Sequence, residues 1–296
     1  MQLAASYCRF NPHLTLQTVA NKIIVTTDLS NNAKAGIRFA IQLASQNLSP
    51  LIFYQVIDLK KPTRWSEDKF QFYAKEQLSD ANVKLNRLVR EVYKQSGLKP
   101  GKYECIVRNA PTVGEDVIQY AIKIKAAFIC MGTRGAGRIR RIWGTNTSFV
   151  LTHSPIPVFA VPQNYRRTPV THILYSSDLD HLRTELQKVK KFADSIKAKV
   201  SVLHYDYQLE EVQAKLDKVA RQHKAPGVQF YFEKLSMEDS LDTHLMKAIR
   251  RNKPSLVVLF TKQNRDWYER LFLSSKSAEV SFDTKKPLLI FPKKSK

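Results

Sequence analysis

Apolar residues in this chain fall into two rhythms that alternate along its length. Runs such as Ile23-Ile24-Val25 and Leu51-Ile52-Phe53-Tyr54-Gln55-Val56-Ile57 are apolar almost without a break, as expected of strands buried on both faces of a sheet. Between them, apolar positions recur at helical spacing, as at Ala33, Ile37, Ala40, Ile41 and Ala44, which puts them on one helix face. The pattern predicts strands at 22–27, 51–57 and 103–108, another over Ala126-Ala127-Phe128-Ile129-Cys130, and a last one at 157–162. A first helix is predicted after Asp28-Leu29-Ser30-Asn31, a stretch rich in N-cap residue types. A long second helix over 66–96 carries Leu78, Leu85, Leu88, Val89 and Val92 inward, and a third over 112–125 carries Val117, Ile118, Ala121 and Ile122. Apolar strands separated by amphipathic helices imply an α/β protein with a mostly parallel, helix-covered sheet.

The same order is then repeated at a period near 150 residues. Ile23-Ile24-Val25-Thr26-Thr27-Asp28-Leu29 aligns with Ile173-Leu174-Tyr175-Ser176-Ser177-Asp178-Leu179, and Phe128-Ile129-Cys130-Met131 aligns with Leu256-Val257-Val258-Leu259. Each half closes on a proline-led strand, Pro157-Val158-Phe159-Ala160-Val161-Pro162 and Pro287-Leu288-Leu289-Ile290-Phe291-Pro292. The polar segment Gln163-Asn164-Tyr165-Arg166-Arg167-Thr168-Pro169 links them. The second half is predicted as strand 172–176, helix 181–197, strand 199–205, helix 208–223, strand 228–232, helix 239–251, strand 255–260, a short helix, and strand 287–291. The expected organisation is an extension at 1–20, a first domain at 21–163 and a second at 170–296, each an open-sheet α/β unit.

Size and composition narrow the class. The 296 residues suffice for two ordinary cores, and 43% apolar with 25% charged residues is globular composition. Three cysteines, Cys8, Cys105 and Cys130, show no paired spacing, which points to a reducing compartment. The start lacks a basic, apolar leader, and no apolar stretch nears the roughly 20 residues that span a bilayer. A cytoplasmic location is therefore expected. The net charge of +22 is shared between both halves, which fits a solvated basic surface or weak, non-specific polyanion binding. There is no Ser/His/Asp ordering, no H-E-x-x-H and no Cys/His set of metal-ligand spacing. His153 and His172, near the linker, are read as surface or core packing residues rather than catalytic ones. No enzyme is expected; slow ATP hydrolysis would proceed without a residue identifiable as its base.

Chemistry concentrates in Met131–Asn146, MGTRGAGRIRRIWGTN, which holds four of the nine glycines and four arginines. A glycine-rich bend after a strand lets backbone N–H groups close on an anion. The segment is not a P-loop, because Gly132-x4-Gly137-Arg138-Ile139 lacks the lysine and the Ser/Thr for Mg²⁺. It is not a dinucleotide fingerprint either, since it follows the fourth strand and has no G-x-G-x-x-G. If the first and fourth strands are neighbours, Asp28 and Gly132 share one crevice at their carboxyl ends. Asp28 has a competing use as a helix cap and Gly144 as a simple turn. Arg138, Arg140 and Arg141 suit a solvated edge, and Trp143 suits packing.

Asp after the first strand, Gly132-x2-Gly135-x8-Gly144-Thr145 after the fourth, and the Ser154-Pro155-Ile156-Pro157-Val158 entry to the fifth resemble the universal stress protein family. That family's ATP-binding members carry Gly-x2-Gly-x9-Gly-(Ser/Thr), so the arc here is one residue shorter. The resemblance spans about 23–162 and 172–292, a tandem form packed as an internal pseudo-dimer through the last strands. It implies a stress-response protein that binds ATP, or AMP or ADP, with or without Mg²⁺, and acts as a nucleotide-dependent sensor. Asp28 would meet ribose or phosphate, Val56 would frame the adenine, and Gly132 and Gly135 would let the backbone pass beneath. Arg134 would pair with phosphate, and Gly144, Thr145 and Asn146 would meet the terminal phosphates.

In the second half Gly132 aligns with Phe260 and Gly135 with Gln263, and 261–270 contains no glycine. That half is expected to bind no ATP in this manner, with Asp178 serving as a cap or turn. Trp267, Tyr268, Leu271 and Phe272 form an amphipathic cluster suited to the interface between halves or to packing under the loop. The alternative function is a ligand-free scaffold of the same fold, its basic surface meeting acidic partners or nucleic acid. Protein partners are not specified by the sequence, and no membrane association is expected.

Overall fold

A computed structural model of the chain describes residues 21–133, 145–236, 238–239, 241–262 and 286–293. The first half runs β1 (Ile23–Thr26), α1 (Ala33–Asn47), β2 (Leu51–Ile57), α2 (Glu67–Ser96), β3 (Tyr103–Asn109), α3 (Val113–Lys123), β4 (Phe128–Thr133), α4 (Thr145–His153) and β5 (Val158–Pro162). The second runs β6 (His172–Ser176), α5 (Leu182–Ser195), β7 (Lys199–Asp206), α6 (Leu209–Gln222), β8 (Val228–Lys234), α7 (Leu241–Asn252), β9 (Leu256–Lys262) and β10 (Leu288–Lys293). The expected extension at 1–20 and the cluster at 267–272 lie outside the described residues.

Local chemistry explains the element ends. Ser66 caps α2, its hydroxyl accepting from Lys69 N at 3.3 Å, with Glu67 and Asp68 facing the positive helix end. Gly97 stops that helix in the left-handed region, at φ 67°. In α1 the inward stripe is Ala35, Ile37, Phe39, Ala40, Ile41 and Leu43, all buried against the sheet.

The strands form one ten-stranded sheet, ordered β3-β2-β1-β4-β5-β10-β9-β6-β7-β8. Each half has the same internal order and is parallel throughout. The halves meet where β5 and β10 pair antiparallel, Phe159 opposite Leu289, the pseudo-dimeric packing expected from the resemblance. Helices α1, α2 and α5 bury one face and α3, α4 and α7 the other, and each core runs across the junction. Phe128 and Phe159 of the first half meet Phe192 of α5 at 5.4 and 5.7 Å between ring centres, a favourable aromatic arrangement.

The connection is held down by α1. Gln46 Oε1 accepts from Val170 N at 2.8 Å, and its Nε2 donates to Val170 O at 3.0 Å. Arg167 donates to Gln42 Oε1 at 3.1 Å. Because Val170 is buried, Gln46→Ala strands a backbone donor and acceptor. It is expected to cost about 1–3 kcal/mol, read as a lowered urea midpoint at unchanged m-value.

Candidate functional site

Strand β1 lies between β2 and β4, so the chain leaves it toward opposite sides of the sheet. In an open parallel sheet that switch point opens a crevice beyond the carboxyl ends of the strands. Thr26 of β1 is in register with Met131 of β4, so Asp28 and Gly132 do stand together at this crevice. Val56 joins them from the other side. Strand β2 overhangs β1: Thr26 pairs with Tyr54, and Gln55, Val56 and Ile57 ladder only with β3. Tyr54 O accepts from Thr27 N at 3.0 Å. By the alternation of a parallel strand the backbone of Val56 faces the same way, into the crevice, with no strand partner there.

Asp28 is exposed, and its Oδ1 accepts from Ser30 N at 2.9 Å, closing a turn. The helix begins at Ala33, whose N–H donates to Ser30 Oγ at 3.3 Å, and its N-cap Asn32 makes no side-chain bond. Asp28 is thus a turn residue and not the cap of α1. No cation among the described residues pairs with it.

Gly132 has a role that sequence alone did not disclose. A Cβ there would lie 2.6 Å from Asn32 O and 3.0 Å from Ala33 Cα, and one at Gly36 would lie 2.8 Å from Gly132 N. The two glycines therefore let β4 and the start of α1 pack backbone on backbone, whatever the crevice holds. Thr145 opens α4, and Asn146 in its first turn is exposed. That helix leads to β5, which is parallel to β4, so it starts on the crevice side of the sheet. Arg134, Gly135 and Gly144 lie outside the described residues, as do Arg138, Arg140, Arg141, Trp143 and the side chain of Thr145.

Gln55 is the residue that the strand pattern passed over. It is 7% exposed, and its Oε1 is the one buried side-chain oxygen or nitrogen without a hydrogen-bond partner among the described residues. The available signal was a lone amide inside an apolar run. Beside it, Tyr54 donates to Asp116, Arg108 Nε donates to the other oxygen of Asp116 at 3.2 Å, and Tyr120 stacks on Tyr54 at 4.7 Å. Burial, and then the bond to Asp116, push the Tyr54 phenol far above its ordinary range.

The second half fills the equivalent space. The register of Tyr175 with Val258 matches that of Val25 with Cys130, so Phe260 stands where the first half has Gly132. Its ring stacks on Phe291 at 4.7 Å and meets Tyr175 at 5.5 Å. Asp178 Oδ1 accepts from Asp180 N at 3.2 Å, the turn expected of it, and its other oxygen pairs with Lys293 of β10. Lys293 Nζ also lies 3.6 Å from Glu185 Oε1, and Glu185 accepts from Tyr175 OH. Burial alone would raise the Asp178 carboxyl, but the Lys293 ammonium outweighs it and holds it below the ordinary range. Lys293 is likewise raised, its carboxylate partners outweighing burial. The counterparts of Lys293 and Glu185 in the first half are Gln163 and Gly36, since Ala35 N–H to Asn32 O in α1 matches Thr184 N–H to His181 O in α5, so no such pair can form there. Gln263 and the glycine-free segment after it lie outside the described residues.

The universal stress protein family model matches residues 20–162. Among solved structures, a universal stress protein from Archaeoglobus fulgidus DSM 4304 is 16% identical with TM-score 0.64, covering 92% of this chain and 98% of that one. A putative universal stress protein from Pseudomonas aeruginosa UCBPP-PA14 is 16% identical with TM-score 0.56, covering 92% and 93%. At that identity both show the fold. No curated protein matches the chain in sequence.

Proposed function

We propose that this chain, which belongs to the universal stress protein family through residues 20–162, binds ATP or a related adenine nucleotide in its first half and not in its second. The observation that supports it is the contrast between two equivalent crevices. In the first, Asp28 faces solvent beside a two-glycine backbone approach and the open edge of Val56. In the second, the matching carboxylate is tied to Lys293 and the glycine is replaced by Phe260. Asp28 meets the ribose, Val56 frames the base, and Gly132 and Gly135 carry the backbone beneath. Arg134, Gly144, Thr145 and Asn146 take the phosphates at the start of α4. Among the described residues no cluster of His, Cys, Asp or Glu is arranged for a metal, so Mg²⁺ would arrive with the nucleotide. No residue is placed as a general base, and the protein acts as a nucleotide-dependent regulator in the cytoplasm. No described helix is long and apolar enough to cross a membrane.

The test pairs the two carboxylates. Asp28→Ala is expected to weaken ATP binding about 10- to 100-fold, the worth of a hydrogen bond to a charged group, with little change in ligand-free stability. Asp178→Ala should leave binding intact and lower stability. Equal effects on binding would refute the one-site assignment. If purified protein releases no nucleotide and ATP with Mg²⁺ leaves its melting temperature unchanged, the scaffold function takes precedence. A groove of about 540 Å³ over Leu186 and Val228, rimmed by Arg183, Lys191 and Lys224, is where an acidic partner would then be sought.

A further inference from the structure

The two halves are finished differently on the sheet face covered by α1, α2 and α5. In the first half three rings pack together there. Phe53 of β2 and Tyr103 of β3 meet at 5.7 Å between centres, and Tyr93 of α2 lies 5.5 Å from Tyr103 and 6.5 Å from Phe53. By strand register Val202 and Val228 stand where Phe53 and Tyr103 do, and α6 contains no aromatic residue. The groove of about 540 Å³ between α5 and the turn after α6 lies on this side, with Leu186, Ala225 and Val228 as its apolar lining.

Its rim is cationic. With Gly36 of α1 matching Glu185 of α5, the buried Ile41 and Gln42 give way to Lys190 and Lys191 at the groove. Lys190 pairs with Asp194, the one carboxylate in the lining. Arg183, Lys191 and Lys224 are exposed and pair with no carboxylate among the described residues.

Three unpaired cations over an aliphatic floor call for a ligand with carboxylates at its edges and an apolar group between them. Nucleic acid meets the charge but not the floor, since no Phe, Tyr or Trp lines the groove to stack a base. This chain does not supply the ligand itself. Residues 1–20 hold no Asp or Glu, 134–144 and 294–296 hold only basic charge, and 263–285 carries four acidic against four basic residues. A second copy brings the same net charge of +22 and is repelled.

We infer that this groove docks an acidic segment of another protein, with carboxylates on Arg183, Lys191 and Lys224 and one large apolar side chain over Leu186 and Val228. Docking there does not depend on a nucleotide in the first crevice, which belongs to the other half.

The experiment titrates the full chain into three fluorescein-labelled probes and reads anisotropy. One is a peptide with a phenylalanine between two runs of four glutamates, the second has alanine in its place, and the third is an oligothymidylate of equal charge. Wild type is expected to bind the phenylalanine peptide about tenfold or more tighter than the alanine peptide, the worth of burying one aromatic side chain. Lys191→Glu with Lys224→Glu, both at exposed positions, should weaken the phenylalanine peptide by about tenfold or more. Lys75→Glu with Lys84→Glu, the same change of charge on exposed positions of α2, should weaken it less than about threefold, because salt screens distant charges. Val228→Tyr, which restores the ring that Tyr103 supplies in the first half, should also weaken it by filling the floor, and the charge-reversed pair carries the test if that variant fails to fold. An alanine peptide or thymidylate bound as tightly as the phenylalanine peptide marks a general anion surface and overturns the inference. So does a phenylalanine peptide that wild type does not bind, or that the two charge-reversed pairs bind alike.

Discussion

Gly36→Val should unfold the protein at a markedly lower denaturant concentration than wild type, with a loss of about 3 kcal/mol. The added Cβ would sit 2.8 Å from Gly132 N and 3.2 Å from Met131 C, and both are backbone atoms of a central strand. They cannot swing aside as a side chain does. Relief requires α1 to lift from the sheet, which loosens the contacts of Ile37, Phe39 and Ala40 as well. Overpacking of a well-filled core ordinarily costs 1–3 kcal/mol, about, and a backbone neighbour puts this site at the upper end. Gly36→Ala isolates the term. Alanine improves helix propensity by about 1 kcal/mol, so a variant as stable as wild type would mean a clash worth only that much. A clearly stabilised Gly36→Ala would refute the backbone contact. Gly114→Ala is the control: its Cβ would lie 2.5 Å from Phe149 Cδ1, the ring of a half-buried side chain, and a rotation there should limit the cost. The same geometry separates two roles of Gly132. Loss of nucleotide binding in a Gly132 variant is informative only if stability is measured beside it, which makes Asp28 the cleaner site probe.

What could be read from the sequence follows from the range over which each cause acts. Strand and helix patterning is local, so β2 at 51–57 and α2 at 66–96 were legible almost to the residue. The repeat disclosed the two-half organisation because Asp28 and Asp178 follow equivalent strands. The register Val25–Cys130 against Tyr175–Val258 bears out the pairing of Gly132 with Phe260. Partners brought together by the fold were not legible. Lys293 is 115 residues from Asp178, and nothing in its own surroundings marks it as half of a buried pair. Gln46, which holds Val170, and Gly36, which admits Gly132, were hidden for the same reason. Gln55 differs: a lone amide in an apolar strand is visible in sequence, but its lack of a partner exists only in three dimensions. Asp28 was assigned too broadly, because turn and cap use the same residue types, and only the position of Ser30 and Asn32 separates them.

Lys293→Met should markedly lower the stability of the chain and should leave the nucleotide binding proposed for the first crevice unchanged. The Lys293 side chain is only 10% exposed, and its ammonium faces Glu185, whose side chain is 5% exposed, and Asp178, whose side chain is half exposed. Removing it strands a buried carboxylate. Breaking a buried ion pair from one side costs about 3–5 kcal/mol. Solvent screens Asp178 and Tyr175 still donates to Glu185, so about 2–4 kcal/mol is expected here. The sign with pH follows from the two shifts. Asp178 is held below its ordinary 3.8, so its share is complete above that value and lost as pH falls through the depressed pKa. Lys293 is held above 10.5, so its share is complete below that value and lost as pH rises through the raised pKa. The difference in unfolding free energy between wild type and Lys293→Met should therefore stay flat across neutral pH and shrink at both extremes. Adding Glu185→Gln, which removes the stranded charge and can still accept from Tyr175, should restore more than half of the loss. If the double variant is as unstable as the sum of the single ones, the two groups do not interact, and Lys293 contributes by covering Phe260 and Phe291 with its aliphatic stem rather than by its charge.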